Sequence, residues 1–128
     1  PILSQMRASA VSFGCPEHEG SPLADISLSD GCNLKLGSEA INVLHTPGHT
    51  PGHVCFVTAA GAFCGDLIFK AGVGRWDLPG GSEQEIFTSI RVKLFELPDS
   101  TVLFPGHGEA TSIEEEKRNN PFVSLGAY

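Results

Sequence analysis

The sequence predicts a mixed α/β (α+β) domain in which helices cover one side of a mixed sheet. Short apolar segments separated by glycine turns occupy the middle of the chain, as in strands. A helical apolar stripe with a capping signal follows, and then come one more strand and a second helical segment. Strands and helices in this order are typical of helices packed on one face of a sheet.

Length and composition predict a single soluble domain over residues 1–128. A chain of 128 residues, 41% of them hydrophobic, is long enough to bury a core. The net charge is -7, with 8 Lys and Arg and no basic run, which argues against nucleic acid or an anionic membrane as partner. No apolar stretch approaches the roughly 20 residues of a membrane span, and no signal peptide is recognisable. We therefore expect a cytoplasmic protein.

The cysteines lack the spacing of a zinc site, since no CxxC motif occurs among Cys15, Cys32, Cys55 and Cys64. Cys55 and Cys64 lie within apolar runs, which favours small buried thiols over metal ligands or disulfides. Free thiols suit a reducing compartment.

The first strands are predicted from alternating apolar and polar residues. Residues 1–29 are rich in Ser, Gly and Pro and predict mostly loop. Strands over 33–36 and 40–45 follow, joined by a Gly-Ser turn. Two apolar strands, 54–58 and 62–64, come next around a turn at Ala60 and Gly61. Their continuous hydrophobicity predicts burial on both faces.

The second half predicts two helices and one strand. FKAGVGRWDLPGG is read as a glycine-rich loop, and a helix then begins at Ser82 with Glu85 completing a capping box. A last strand over 101–104 leads into PGHG, and SIEEEKRNN predicts a short exposed helix. The apolar stripe of the first helix consists of Ile86, Ile90 and Leu94, with Phe87 and Phe95 beside them, and Pro98 marks its end.

The segment HTPGHTPGH, residues 45–53, spaces three histidines four residues apart. On a helix this spacing would align all three imidazoles on one face, as in HExxH zinc sites. The intervening prolines remove backbone donors and the glycines lower helix stability, so the segment must be an irregular loop.

Three residues that can ligate metal each follow an apolar strand and neighbour a glycine: His49, Asp66 and His107. If these strand ends coincide at one edge of a sheet, the three side chains meet there. Two imidazoles and a carboxylate are a common ligand set for zinc and also suit iron or manganese. A turn histidine and a capping aspartate are equally compatible with the composition alone.

The successive motifs HTPGHTPGH, GDLIF, GRWDLPGG and LPDSTVLFPGHGEATSIEEEKRNNPF resemble those of the metallo-β-lactamase superfamily, especially its glyoxalase II-like hydrolases. The resemblance covers roughly residues 30–123 and implies part of an αββα sandwich. The HxHxDH signature that precedes these motifs in relatives is absent, so we expect a truncated domain that corresponds to the C-terminal half.

The resemblance implies that His49 binds one metal, that Asp66 bridges two metals, and that His107 binds the other. It implies two zinc ions in the complete protein, with iron or manganese possible, and a metal-bound hydroxide that cleaves a thioester such as an acylglutathione. Arg75 matches a basic position that helps to hold glutathione, although a surface salt bridge is equally compatible. His53 is expected to support the loop by a hydrogen bond, and His45 to play a structural part.

Without HxHxDH, each metal would keep two protein ligands where zinc normally takes three or four. We therefore expect this chain alone to be inactive, and to expose apolar surface through which it could self-associate. The expected partner of the complete enzyme is a small-molecule thioester. Two alternatives stay open: a persulfide dioxygenase with one iron held by two histidines and an aspartate, and a noncatalytic fragment without bound metal.

Overall fold

Eight strands organise the part of the chain that the computed structural model describes, which is residue 23 and residues 25–124. Sequence predictions for residues 1–22, including that for Cys15, lie outside it. The strands are β1 (Asn33–Leu36), β2 (Glu39–His45), β3 (Val54–Thr58), β4 (Gly61–Gly65), β5 (Ile68–Phe69), β6 (Gly72–Val73), β7 (Val102–Pro105) and β8 (Thr111–Ser112).

Six of these strands form one mixed sheet in the order β1-β2-β3-β4-β7-β8, and β5 pairs with β6 separately. Strands β1 to β4 are antiparallel neighbours, whereas β4 and β7 are parallel. It follows that β2, β4 and β7 run in the same direction and end at the same edge of the sheet. The residues after these strands therefore share that edge, as the sequence predicts.

One face of the sheet carries the core. Register pairs Leu44 with Cys55 and Ala62 with Leu103, so these side chains share the face against which the helices pack. Cys55 and Cys64 are buried free thiols, which confirms their prediction. The buried cluster comprises Cys55, Ala62, Cys64, Leu67, Ile68, Ile86, Ile90, Leu94, Phe95, Leu103, Ile113 and Val123.

The opposite face of the sheet is only partly covered. Phe63 on β4 is 45% exposed and stacks on Phe104, with ring centroids 4.9 Å apart. The prediction that β4 is buried on both faces is therefore wrong. Ala62 and Cys64 face the helices, but the Phe63 side chain lies on the opposite face of the sheet. There its ring stacks on that of Phe104 on the neighbouring strand β7.

The first helix, α1, spans Glu83–Thr88 and begins as predicted, because the Ser82 hydroxyl accepts a hydrogen bond from the Glu85 N–H at 3.2 Å. A π-helical turn over Ser89–Lys93 and a 3₁₀ turn over Leu94–Glu96 continue it. The predicted stripe is confirmed, since its three aliphatic side chains are buried. In the described range, neither this helix nor the next is of a length and apolarity that would cross a bilayer.

The second helix, α2, spans Ile113–Asn119 and is capped by Ser112, whose hydroxyl accepts from the Glu115 N–H. The sequence predicts an exposed helix, yet Ile113 and Glu116 are buried. The Glu116 carboxylate is buried because neighbouring donors satisfy it, among them the Ala71 N–H. The segment predicted as glycine-rich loop also differs, because the β5–β6 hairpin lies at its start.

The histidine loop is irregular, as its prolines and glycines predict, and it packs against the start of α1. The Gly48 carbonyl accepts a hydrogen bond from the Ser82 N–H at 2.8 Å. Gly48 has φ +140°, and a Cβ at this position would lie 2.3 Å from the backbone nitrogen of Ile86. Gly52, in the second Thr-Pro-Gly step of the same loop, has open space around it. The two steps are alike in sequence and different in packing.

We predict that Gly48→Ala destabilises the fold by about 2–5 kcal/mol, because the methyl group overlaps the α1 backbone and the positive φ disfavours a side chain. The matched control, Gly52→Ala, should change the free energy of unfolding by no more than about 0.5 kcal/mol. Urea unfolding followed by circular dichroism measures both. Equal effects of the two substitutions would contradict the packing of this loop on α1.

Candidate metal centre

The three residues predicted as metal ligands lie together, with Asp66 between the two histidines. Its Oδ2 lies 3.4 Å from His49 Nε2, and its Oδ1 lies 3.3 Å from His107 Nε2. The three side chains reach this point from the ends of β2, β4 and β7, which share one edge of the sheet. Their assignment as metal ligands stays a prediction.

The orientation of the His49 ring is fixed by a backbone carbonyl. Its Nδ1 lies 2.8 Å from the Arg75 oxygen, and because a carbonyl can only accept, Nδ1 carries the proton. In the neutral ring Nε2 then presents a lone pair to the Asp66 carboxylate. Two acceptors facing each other repel unless a cation or a proton lies between them. This tautomer is the one that metal-binding histidines usually adopt.

The distances suit shared metal ions better than direct hydrogen bonds. Separations of 3.3 and 3.4 Å exceed the usual length of an N–H···O bond. Two ligands on one tetrahedral zinc, each at about 2.1 Å, are separated by about 3.4 Å. The donor set of imidazole nitrogen and carboxylate oxygen is also the chemistry that zinc and iron accept.

The described residues provide two donors for each of two positions. No three His, Cys, Asp or Glu side chains within residues 23 and 25–124 converge as a complete metal site would require. Each imidazole instead faces a different oxygen of Asp66. The geometry therefore fits two half-sites that share one carboxylate, and further ligands are needed to complete either of them.

Gly74 lets the backbone of the following segment pass directly behind Asp66. A Cβ on Gly74 would lie 1.7 Å from the Asp66 carbonyl oxygen and 3.6 Å from the Cβ of His49. The Gly74 N–H donates to the Leu67 carbonyl at 3.0 Å, and this hydrogen bond holds the segment at Gly74 against the segment that follows Asp66. The sequence offered only a glycine-rich stretch here and did not single this residue out.

The Arg75 side chain points to its own loop. Its guanidinium donates to both oxygens of Asp77, at 3.0 and 3.2 Å, and this pair lowers the pKa of the Asp77 carboxyl. The side chain is 68% exposed, so the pair is a surface ion pair of small energetic value. The part of Arg75 that reaches the centre is its carbonyl, which sequence reasoning missed. Substrate binding by the guanidinium stays a prediction.

His53 makes the kind of hydrogen bond expected of it. Its Nδ1 lies 2.9 Å from the Thr46 hydroxyl, and the two imidazoles of His49 and His53 meet edge to face at 6.3 Å. Burial lowers the pKa of His53, and repulsion from His49 lowers it further, while the Asp66 charge opposes both. The ring is therefore kept neutral beside the candidate centre. His45 lies outside it, with Nε2 donating to the Pro51 carbonyl at 2.9 Å.

The two candidate histidines differ in exposure. The His49 side chain is 18% exposed, and the His107 side chain is 78% exposed. The His107 ring has one described ring contact, with Phe69 at 5.9 Å between centroids. The centre thus has one side enclosed by the histidine loop and one side open to solvent.

Comparisons with known proteins identify the family of this chain. The sequence profile of the metallo-beta-lactamase superfamily matches residues 2–107. Hydroxyacylglutathione hydrolase GloC of Haemophilus influenzae is 42% identical over 113 residues, which cover 82% of this chain and 53% of that protein. Human mitochondrial persulfide dioxygenase ETHE1 is 34% identical over 108 residues, which cover 80% of this chain and 42% of that protein.

A solved structure extends the similarity to three dimensions. The crystal structure of TTHA1623 in a di-iron-bound form superposes with a TM-score of 0.81 at 38% identity, covering 96% of this chain and 60% of that chain. The chain spans about half the length of the curated relatives it matches. The family profile, the relatives and the fold agree, and the chain belongs to the metallo-β-lactamase superfamily.

Proposed function

We propose that this chain contributes to a metal-dependent hydrolase of the glyoxalase II type, which cleaves a thioester such as an acylglutathione. The observation that carries the proposal is the Asp66 carboxylate, whose two oxygens face two different imidazoles. The similarity to GloC, a hydroxyacylglutathione hydrolase, supports the substrate class. The substrate would then be a small molecule derived from glutathione.

In this proposal Asp66 lies between two ions, and His49 and His107 each anchor one of them. Bound divalent ions supply Lewis acidity and lower the pKa of a water molecule. The Arg75 carbonyl holds the His49 ring with Nε2 directed at Asp66, so the ligand does not rotate away. We favour zinc, with iron or manganese as alternatives, and the di-iron form of TTHA1623 supports iron.

The second candidate is a persulfide dioxygenase with a single iron. The similarity to human ETHE1, which is 34% identical over 108 residues and covers 80% of this chain, supports it. One iron held by two histidines and an aspartate would occupy one of the two half-sites, Asp66 with one of the imidazoles, and would take its second histidine from additional polypeptide. The number of bound ions and the need for oxygen separate this candidate from the hydrolase.

Completion of either site requires ligands beyond the two donors that the described residues offer to each ion. We propose that the chain acts with additional polypeptide, in a cytoplasmic setting, and that on its own it is inactive. The partly exposed Phe63 and Phe104 face offers a surface for self-association. A noncatalytic fragment would bind no metal, and a chelator would not change its stability.

We predict that zinc binding depends on Asp66 more than on either histidine. Asp66→Asn should weaken zinc binding by at least about tenfold at both positions, because the substitution removes the shared negative charge. His107→Ala should remove one bound ion and spare the other. Competition with a chromophoric chelator measures affinity and stoichiometry, and His45→Gln is the control because His45 lies outside the centre. Unchanged zinc binding in Asp66→Asn would exclude the proposed ligand set.

We predict that the chain, when completed by additional polypeptide and loaded with zinc, hydrolyses an acylglutathione without consuming oxygen. The dioxygenase candidate predicts the reverse: one iron per chain, and oxygen uptake with a small-molecule persulfide as substrate. Metal analysis, thiol release and an oxygen electrode on zinc-loaded and iron-loaded samples decide between them. Absence of bound metal under both conditions would favour the noncatalytic fragment.

A further inference from the structure

The β5–β6 hairpin and the residues flanking it touch all three candidate ligands. The hairpin starts directly after Asp66 and Leu67, and the Phe69 ring packs on His107 with centroids 5.9 Å apart. The chain then passes behind Asp66 at Gly74, and the Arg75 carbonyl accepts a hydrogen bond from His49 at 2.8 Å. A movement of this segment would therefore reorient both imidazoles.

The hairpin is too small to hold its own conformation. Each strand has two residues, and a two-stranded ribbon of this size is not stable by itself in water. Its turn consists of Lys70 and Ala71, and Ala71, at φ 61°, is the one non-glycine residue with positive φ in the described part of the chain. The favoured two-residue turns have positive φ at the first central residue, so this turn is an unfavourable type.

A buried carboxylate on α2 supports this turn. Glu116 is 1% exposed, and its Oε1 accepts the Ala71 N–H at 2.8 Å. The same oxygen accepts from the Asn120 amide at 3.0 Å, and Oε2 accepts from the Thr111 hydroxyl. The Asn120 amide also donates to the Gly72 carbonyl at 3.0 Å. Glu116 on α2 and Asn120 at its C-cap thus bind the backbone of two successive residues, Ala71 in the turn and Gly72 at the start of β6.

Placing a carboxylate in the core is costly unless donors surround it, and the donors that Glu116 has are a backbone N–H, an amide and a hydroxyl. A residue that only filled space in the core would be apolar. The buried Glu116 carboxylate is explained if the Ala71 N–H needs a hydrogen-bond acceptor, because the unfavourable turn directs this N–H toward α2.

We propose that Glu116, assisted by Asn120, is a positioning residue for the candidate metal centre. It holds the hairpin turn, and the hairpin in turn sets the orientation of His49 and His107. The inference rests on the proposed function only in that these two imidazoles serve as metal ligands. The hydrogen bonds that carry it are between protein groups and involve no metal ligand.

The first experiment records the side-chain NMR signals of His49 and His107 in the full chain without metal. Glu116→Met fills the same volume without a strong acceptor and should shift or broaden both imidazole signals and speed hydrogen exchange at the Ala71 amide. Glu116→Gln keeps an acceptor and should resemble the original protein. Ala71→Gly in the Glu116→Met background should restore the signals, because glycine tolerates the left-handed turn.

The second measurement is zinc affinity by chelator competition, in which Glu116→Met should raise the Kd about tenfold and Glu116→Gln should not. Glu114→Ala is the matched control, since it removes an exposed carboxylate from the same helix. If Glu116→Met does not fold, Thr111→Val removes one anchor of the carboxylate and should give smaller changes of the same kind.

Unchanged imidazole signals in Glu116→Met would overturn the proposal, and so would a failure of Ala71→Gly to restore them, since Glu116 would then be only a packing residue. If the original protein binds no zinc while its imidazole signals respond as expected, the positioning role stands and the proposed function fails.

Discussion

The parallel pairing of β4 with β7 is the constraint on which the candidate centre depends. It places Gly65 beside Pro105, so Asp66 and His107 leave the sheet at the same edge. The Gly106 N–H donates to the Gly65 carbonyl at 2.8 Å, which extends the pairing up to the centre itself. A parallel pair needs a long connection, and here that connection contains the β5–β6 hairpin and α1. The segment that connects β4 to β7 therefore also lines the candidate metal centre.

The histidine loop reaches this edge by a different means. Within the loop, the Gly48 and His53 N–H groups both donate to the Thr50 carbonyl. From outside, the loop is held by the Ser82 N–H, which donates to Gly48, and by the Ser89 hydroxyl, which donates to Pro47 at 2.7 Å. Both donors come from the helix that covers the core. The packing of α1 on the core and the position of His49 are therefore coupled, because any shift of α1 moves the loop that carries His49.

Much of this architecture can be predicted from the sequence, and most of the exceptions depend on contacts with distant residues. Strand periodicity, the Ser82 cap and the apolar stripe are local signals, and they predict the main elements and the edge where Asp66 meets the two histidines. The support of the β5–β6 turn by Glu116, the burial of that carboxylate and the carbonyl contact of Arg75 depend on partners 26 to 45 residues away. Such contacts leave no periodic pattern in the chain, so local reasoning assigns those residues to loop or surface.

The unequal enclosure of the two imidazoles has a kinetic consequence. The His49 side chain is mostly enclosed by the histidine loop and the core, whereas most of the His107 side chain is exposed to solvent. An ion on the His107 side would meet solvent and competing chelators directly, and we expect it to exchange faster than an ion on the His49 side. Occupancy of such a centre would then track the free metal concentration of its surroundings mainly through one of its two positions.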